Sequence, residues 1–518
     1  MIDEEVDWQL QEEGAEINIV DEVGKIRSPY DDECPMCYPG TKLNGDIAEA
    51  ASKLIVKQIN AIGNHSAALS READGTWKYR EGEGGFEQVQ RIERQALWLI
   101  ASVLGVEDRS KVEGYFNGGG TEANEEGIWI GREWLKTWPD PMGKGIAVLT
   151  TPLRHYSIDK AVFLTGIGDS QRVPCKYCGR DHVFIPDTNG SGINLVGMDY
   201  NATRRESHGQ MSIAELDRIF QRKYNEGFRR FMIVATVGTS LSGSIDPIKE
   251  IGDFVRKTGE ETGINFYLHV DASFAGLTIP FVNQELQFAF SVPEVMSLTL
   301  DADKMGNMPY PAGIFLCRKG LMSLVSQKVN YVRGNQDDTI SGSRSCVAPV
   351  LFYYEMKRLG KKGQREFVQK CIRARNQLAE MLRKLEWVRR LPMSPYVNFA
   401  PMEIDIHDGE IPEFFLEKTI DDQEWPAENK LDINDKLMKK IPRELKHLTS
   451  TPAELKKLNG LLAQYHLRSD FFPRDPKNPQ SCPIMVYKVC VMPHNSDQAK
   501  QAQFVADLIK VKDSWKKE

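Results

Sequence analysis

The sequence predicts an α/β protein, with a large domain on a mainly parallel sheet followed by a smaller α+β domain. Two patterns point there. Between about residues 112 and 320, short unbroken apolar runs (GIAVLTT, FRRFMIVATVG, NFYLHVDA, VMSLTLDA) alternate with helical patterns such as 212-SIAELDRIF-220. Apolar strands of this kind, separated by helices, belong to a parallel sheet covered on both faces. Beyond residue 387 the strand-like MVYKVCVM leads into a terminal helical stretch, SDQAKQAQFVADLIK, as expected of a separate smaller unit.

The remaining elements follow in chain order. Residues 1–45 are acidic and turn-rich and read as an arm outside any core. Helical periodicity covers 46–62 and 87–105, on either side of the glycine-rich EGEGG. Residues 351–386 are strongly helical, and a polar stretch from about 405 to 480 reads as an insertion. At 518 residues the chain exceeds one compact core. The expected division is 1–111 for arm and helical segment, 112–386 for the large domain and 387–518 for the small one. A hydrophobic share of 41% and a charged share of 27% describe an ordinary globular protein. A formal charge of −7 argues against nucleic acid as a partner. No apolar run has the length to cross a bilayer. The acidic MIDEEVDWQLQEEGAEINIVDEVG lacks a signal peptide's basic start and apolar middle, so a cytoplasmic enzyme is the expectation.

Four short segments carry chemistry together. In 117-NGGGTEANEEGIWIGREWL-135 three glycines and a threonine open an amphipathic helix. The free N–H groups and positive dipole end of a helix start suit a phosphate, and glycine lets the backbone approach closely. Alone, such a turn is more often a plain helix start. His155, in 154-RHYSIDKA-161, follows a strand-like run; taken singly it reads more readily as a satisfied core or loop histidine. Asp271 ends the apolar strand of 266-FYLHVDASFAG-276, where a carboxylate is costly unless it meets a cation or hydrogen-bond donors. Lys304 stands in 297-SLTLDADKMGNMPYPAG-313, again where an apolar strand ends. A phosphate cradle, a ring-stacking imidazole, a carboxylate and a lysine at strand ends describe a pyridoxal 5′-phosphate site. The lysine would form the Schiff base, and Asp271 would keep the pyridine nitrogen protonated so the ring can accept electrons.

The ordered segments GGGTEANEEGIW, HYSIDKA, VATVGTSLSGSIDP, LHVDASFAG, DADKMGNMPYPAG and SGSR resemble the group II pyridoxal phosphate-dependent amino-acid decarboxylases. The PAG after the lysine and the C-terminal VCVMPHNSDQAKQ are most similar to the archaeal tyrosine/aspartate branch. The resemblance implies an aspartate aminotransferase fold, a homodimer with sites at its interface, and decarboxylation of an L-amino acid to the amine. It assigns the cofactor phosphate to Gly119, Gly120 and Thr121, ring stacking to His155, and cofactor or substrate contact to Thr239 and Ser240. It likewise assigns the pyridinium partner to Asp271, the Schiff base to Lys304, a phosphate contact across the dimer to Ser343, and reprotonation of the α-carbon to Tyr331. Two positions depart from the pattern. Asp303 stands where the family usually has histidine, and Asp301 where it often has a small polar residue at the phosphate. An acid beside the reactive lysine favours its protonated form.

Nine cysteines include two pairs, Cys34-Pro-Met-Cys37 and Cys175-Lys-Tyr-Cys178. Both resemble zinc knuckles, so a shared structural zinc on Cys34, Cys37, Cys175 and Cys178 is one expectation, with His182 as a substitute ligand. Unpaired thiols, a disulfide or coincidence are the others. His65 in GNHSAA is a weak mark at the substrate entrance. Two alternatives to decarboxylation stand beside it: a carbon–carbon lyase of the sphingosine-phosphate lyase type, and a catalytically silent, zinc-stabilised relative.

Overall fold

The computed structural model describes residues 18–515 except 27, 29, 31–33, 41, 63–68, 72–76, 80–85, 169, 175–180, 187–189, 200–208, 331–335, 386–387, 391–393, 395, 405–464, 467 and 474–482. After a short helix over Ile19–Lys25, two longer helices lead in, α1 (Gly45–Ile55) and α2 (Glu87–Val103). The predicted helix over 46–62 stops at Ile55, and Gln58 adopts a left-handed φ of 50°.

The large domain runs β1 (Val112–Asn117), α3 (Gly120–Lys136), β2 (Ile146–Thr150), α4 (Tyr156–Leu164), β3 (Gly192–Leu195), α5 (Ile213–Asn225), β4 (Arg230–Thr236), α6 (Ile248–Thr262), β5 (Phe266–Asp271), β6 (Val295–Asp301) and β7 (Gly313–Arg318). These strands form one seven-stranded sheet in the order β3-β2-β4-β5-β6-β7-β1. Only β7 runs against its neighbours β6 and β1, and the other pairs are parallel. The fold is that of the aspartate aminotransferase-like α/β proteins.

The unbroken apolar runs have a simple cause: each strand feeds two cores. Ala147, Leu149, Phe231, Ile233, Leu268 and Val270 point to one, packed under α5 and α6. Ile146, Val148, Met232, Val234 and Tyr267 point to the other, which also takes Ile128 and Ile130 of α3. Helix α3 lies close on the sheet because two of its turns carry glycine. A Cβ on Gly127 would stand 2.4 Å from the His269 ring, and one on Gly131 2.6 Å from Tyr267.

Helix α7 (Val347–Leu382) is broken at Gly360, whose φ of 61° and ψ of −177° are not helical. It leads to an antiparallel four-stranded sheet of β8 (Val388–Arg390), β9 (Phe399–Ile404), β10 (Arg468–Pro473) and β11 (Pro483–Cys490), ordered β8-β9-β11-β10, and to α8 (Gln498–Trp515). The arm differs from expectation here. Met36 is fully buried among Leu378, Val489 and Phe504. Its backbone N–H donates to Tyr465 O at 2.8 Å, and its carbonyl accepts from Cys490 N at 2.7 Å. An apolar residue between two cysteines therefore joins the C-terminal core. Among the described residues no helix is long and apolar enough to cross a membrane.

Candidate active site

Three side chains meet at the carboxyl ends of the parallel strands. Asp271 closes β5, Lys304 follows β6 by one turn, and His155 caps α4 just beyond β2. Open α/β sheets place ligands at this edge because the strand ends and helix starts leave backbone groups unpaired there.

Asp271 is buried, and burial pushes its carboxyl up. The His155 imidazolium that forms in acid, the Ser273 hydroxyl, Lys304 and the Asn124 amide together outweigh that and hold it below the usual carboxylate range. Ser273 donates from both its N–H (3.1 Å) and hydroxyl (2.5 Å) to Oδ1, and Asn124 Nδ2 donates to Oδ2 at 2.9 Å. Asp271 is thus ionised.

Half-buried His155 is held neutral. Burial lowers its pKa, Asp271 opposes this, and Lys304 and Lys488 add to the lowering. Its Nδ1 lies 2.8 Å from Ser157 Oγ and accepts from Ser157 N at 3.4 Å.

Lys304 is 21% exposed at its side chain, with Nζ 2.9 Å from Asp301 Oδ2. Burial works to lower its pKa, but Asp301 first and then Asp303 and Asp271 hold it above the ordinary lysine value. The chain folds back here through Ala302 N to Ala312 O (2.7 Å) and Met308 N to Ala302 O (3.0 Å), while Gln364 of α7 donates to Met305 O at 2.8 Å. These contacts set the height of the lysine above the sheet edge.

The start of α3 closes the other side. Gly119 takes φ +139°, and nothing lies within 4 Å of where its Cβ would be. Gly120 cannot carry a side chain: its Cβ would sit 2.7 Å from Ser273 Oγ and 2.8 Å from Asp301 Oδ2. Gly120 N donates to Asp301 Oδ1 at 3.1 Å. Asp303, only 5% exposed, hydrogen-bonds Asp301 in turn. Burial first, then that bond and the charge of Asp301, push Asp303 up to about 8, so near neutral pH it is an uncharged acid.

Several side chains escaped the sequence reading. Asn124 and His269 are fully interior polar residues behind Asp271. Phe274 and Phe399 stack with centroids 4.1 Å apart, joining the large domain to β9. Lys304 Nζ lies 6.0 Å from the Phe274 ring and Lys488 Nζ 5.8 Å from the Phe399 ring, so two ammonium groups bracket the stacked pair. The pattern gave no signal for Lys488, a single lysine inside a strand.

Other expected residues are less central. Thr239 is buried, with its hydroxyl 2.9 Å from Ser242 Oγ and 3.0 Å from Ser244 Oγ, and so braces its own turn; Ser240 beside it is half-buried. That turn packs on the segment after Asp271, since Val237 N donates to Asp271 O at 2.8 Å. Thr121 is half-buried on the first turn of α3. Ser343 is exposed and accepts from Asn60 Nδ2 at 3.1 Å. Tyr331, Cys175, Cys178 and His65 lie outside the described residues, as does the side chain of His182. Cys34 Sγ is 3.8 Å from Met36 Sδ, and burial raises its thiol pKa. Cys37 is buried. Among the described residues no three of His, Cys, Asp and Glu are grouped to hold a metal.

The residues present fit pyridoxal phosphate. An ionised, buried carboxylate answers a protonated ring nitrogen, a neutral imidazole and a lysine flank it, and open space fronts Gly119 at the start of a helix. The two acids at that end share one proton, and the Lys304 ammonium offsets the remaining charge.

Comparison with known proteins agrees. Residues 182–395 match the pyridoxal-dependent decarboxylase conserved domain. The chain is 26% identical over 400 residues to tryptophan decarboxylase of Clostridium sporogenes, covering 75% of this chain and 84% of that one. It is 25% identical over 312 residues to a probable L-tyrosine/L-aspartate decarboxylase of Methanosarcina barkeri, covering 58% and 68%. Among solved structures, glutamate decarboxylase of Lactobacillus brevis superposes with a TM-score of 0.67 at 16% identity, covering 98% of this chain and 95% of that one. At that identity the likeness speaks for the fold alone.

Proposed function

We propose a reaction for this chain from one premise: it belongs to the group II pyridoxal phosphate-dependent amino-acid decarboxylases, and its cofactor is pyridoxal 5′-phosphate. The reaction is loss of the α-carboxyl group of an L-amino acid as carbon dioxide, which leaves the amine. When bound, the cofactor supplies an electron-accepting ring that makes a bond at the α-carbon breakable. The observation that carries the reading is the convergence of Lys304, ionised Asp271 and neutral His155 at one sheet edge.

The chain's residues divide the work. Lys304 holds the cofactor through its amine, and Asp301 Oδ2, 2.9 Å away, is placed to take the proton that amine must lose. Asp271, being ionised, would hold a proton on the ring nitrogen of the bound cofactor. His155, uncharged, would pack against the ring without competing with Asp271. The start of α3 at Gly119, Gly120 and Thr121 receives the phosphate. Thr239 and Ser240 shape the turn that borders the site.

Lys488 receives the substrate's carboxylate. Among the described residues it makes no ion pair, and it stands near enough to His155 to lower that imidazole's pKa. An anion held there would fix which bond at the α-carbon stands perpendicular to the ring, and that bond is the one that breaks. Tyr331 is carried over from the resemblance as the residue that returns a proton to the α-carbon. The functional unit is read as a homodimer, in which a second copy would cover exposed Ile55 and Val56 beside the Ser343 groove. The cytoplasmic location and the zinc on the four cysteines stay part of the same reading, the latter tested by metal analysis of the purified protein.

The test is the purified chain with pyridoxal phosphate, offered a panel of L-amino acids with carbon dioxide and amine both measured. Release of the two in equal amounts from one or a few amino acids is expected. A protein that binds the cofactor yet releases neither from any of them would overturn the reading.

A further inference from the structure

Behind Asp271 lies a run of interior polar groups that the proposed reaction does not use. Tyr267 OH donates to Ser297 Oγ at 2.9 Å. Ser297 Oγ is 2.7 Å from His269 Nδ1, and His269 Nε2 is 3.0 Å from Asn124 Oδ1 and 3.4 Å from Thr299 Oγ1. Asn124 Nδ2 gives one hydrogen to Asp271 Oδ2 and the other to Ser157 Oγ, both at 2.9 Å. Ser157 Oγ meets His155 Nδ1 at 2.8 Å. Tyr267, Ser297, His269, Thr299 and Ser157 are fully inaccessible, and Asn124 is 1% exposed.

Elementary donor counting gives this run one direction. An ionised carboxylate only accepts, so Asn124 must turn its NH₂ toward Asp271. Its Oδ1 then faces His269, which must present Nε2–H. A neutral imidazole has one N–H, so His269 Nδ1 accepts, and the Ser297 hydroxyl donates to it while accepting from Tyr267. The second Asn124 hydrogen goes to Ser157, whose hydroxyl donates to His155 Nδ1, leaving His155 with its hydrogen on Nε2. Burial supports this, lowering His269 to about 4. The ring has its place because α3 carries glycine at 127, where a Cβ would lie 2.4 Å from it.

We propose that His269 is a positioning residue: through Asn124 it orients two amide hydrogens, one that helps hold Asp271 ionised and one that, through Ser157, fixes the tautomer of His155. Without the Nε2–H, Asn124 Oδ1 is a buried acceptor with no donor, so the amide is no longer held from that side and its grip on Asp271 and Ser157 loosens. The consequence reaches the cofactor, because a weakened Asp271 charge holds the ring nitrogen's proton less well. This last link rests on the proposed function; the hydrogen-bond direction does not.

The experiment compares wild type, H269L and H269Q as apoproteins. Histidine ¹⁵N shifts report tautomer and charge, and titration with pyridoxal phosphate gives affinity. Gln can donate from the Nε2 position; Leu cannot. In the wild type, His269 should be a neutral Nε2–H form down to about pH 5, and His155 a neutral Nε2–H form at about pH 7. H269L should bind the cofactor about tenfold or more weakly and lose the single His155 tautomer, whereas H269Q should stay within about threefold of wild type. An Nδ1–H form of His269 would overturn the proposal. So would H269L affinity equal to wild type, or H269Q falling as far as H269L, since His269 would then only fill space. Should H269L not fold, S297A replaces it; with Asn124 Oδ1 still needing a donor, His269 should keep its Nε2–H form without that hydroxyl, and a His269 whose hydrogen moves to Nδ1 would count against the relay. A wild type that binds no pyridoxal phosphate sinks the functional reading, while the ¹⁵N shifts still decide the relay.

Discussion

Asp303 donates a hydrogen bond to Asp301, so the two acids flanking the approach to Lys304 carry one proton between them. Two carboxyl groups cannot hydrogen-bond to each other unless one is protonated, and burial together with the neighbouring Asp301 places that proton on Asp303. The acid that stands in place of the family's usual histidine is therefore uncharged near pH 7. It does not repel an incoming phosphate as a carboxylate would.

This arrangement has a pH signature. Asp303 is raised in the folded protein, so the folded state retains a proton that the unfolded chain releases above about pH 4. Stability from this group is therefore full at low pH and is lost as pH climbs to about 8. D303N removes the titration and keeps a donor toward Asp301. Its apoprotein should melt above wild type at pH 8, with the gap shrinking toward pH 5. Melting curves at the two pH values check this; a gap independent of pH would count against the shared proton.

The SGSR segment has a structural use that can be measured. Arg344 Nη2 lies 3.2 Å from Glu93 Oε1, with side-chain exposures of 5% and 1%, and its guanidinium sits 4.9 Å from the Tyr115 ring. Glu93 also accepts from Phe116 N at 2.9 Å, pinning α2 to β1. Removing one member strands the other charge in the interior. R344A should cost about 3–5 kcal/mol of stability by denaturant unfolding, whereas a change under about 1 kcal/mol would show the pair to be solvated.

Lys488 separates binding from chemistry. If it receives the substrate carboxylate, K488M should raise KM by about tenfold or more, the worth of one charged hydrogen bond. Cofactor affinity should change little, because the fit of pyridoxal phosphate does not involve β11. Steady-state kinetics and a cofactor titration distinguish this from a general loss. An unchanged KM would move the carboxylate site elsewhere.

What could be read in the sequence was chemistry placed where apolar patterns end. Lys304 and Asp271 stood out because a charged residue closing an apolar strand needs a partner, and the glycines before α3 because a helix start offers donors. His155 gained meaning only beside them. Asn124 and His269 could not be found this way. One looks like an ordinary polar residue on a helix, and the other an alternate position in a strand whose two faces are both buried, and their link joins residues far apart in the chain. Met36 was hidden for a related reason: an acidic, turn-rich arm gives no period from which to tell that one apolar residue crosses to the C-terminal core.

The most direct test is to reduce the protein with borohydride in the presence of pyridoxal phosphate and map the modified peptide by mass spectrometry. A pyridoxyl group on Lys304, absent in K304A, is the expected result. The label on another lysine at full occupancy, or K304A labelled as strongly as wild type, would contradict the account.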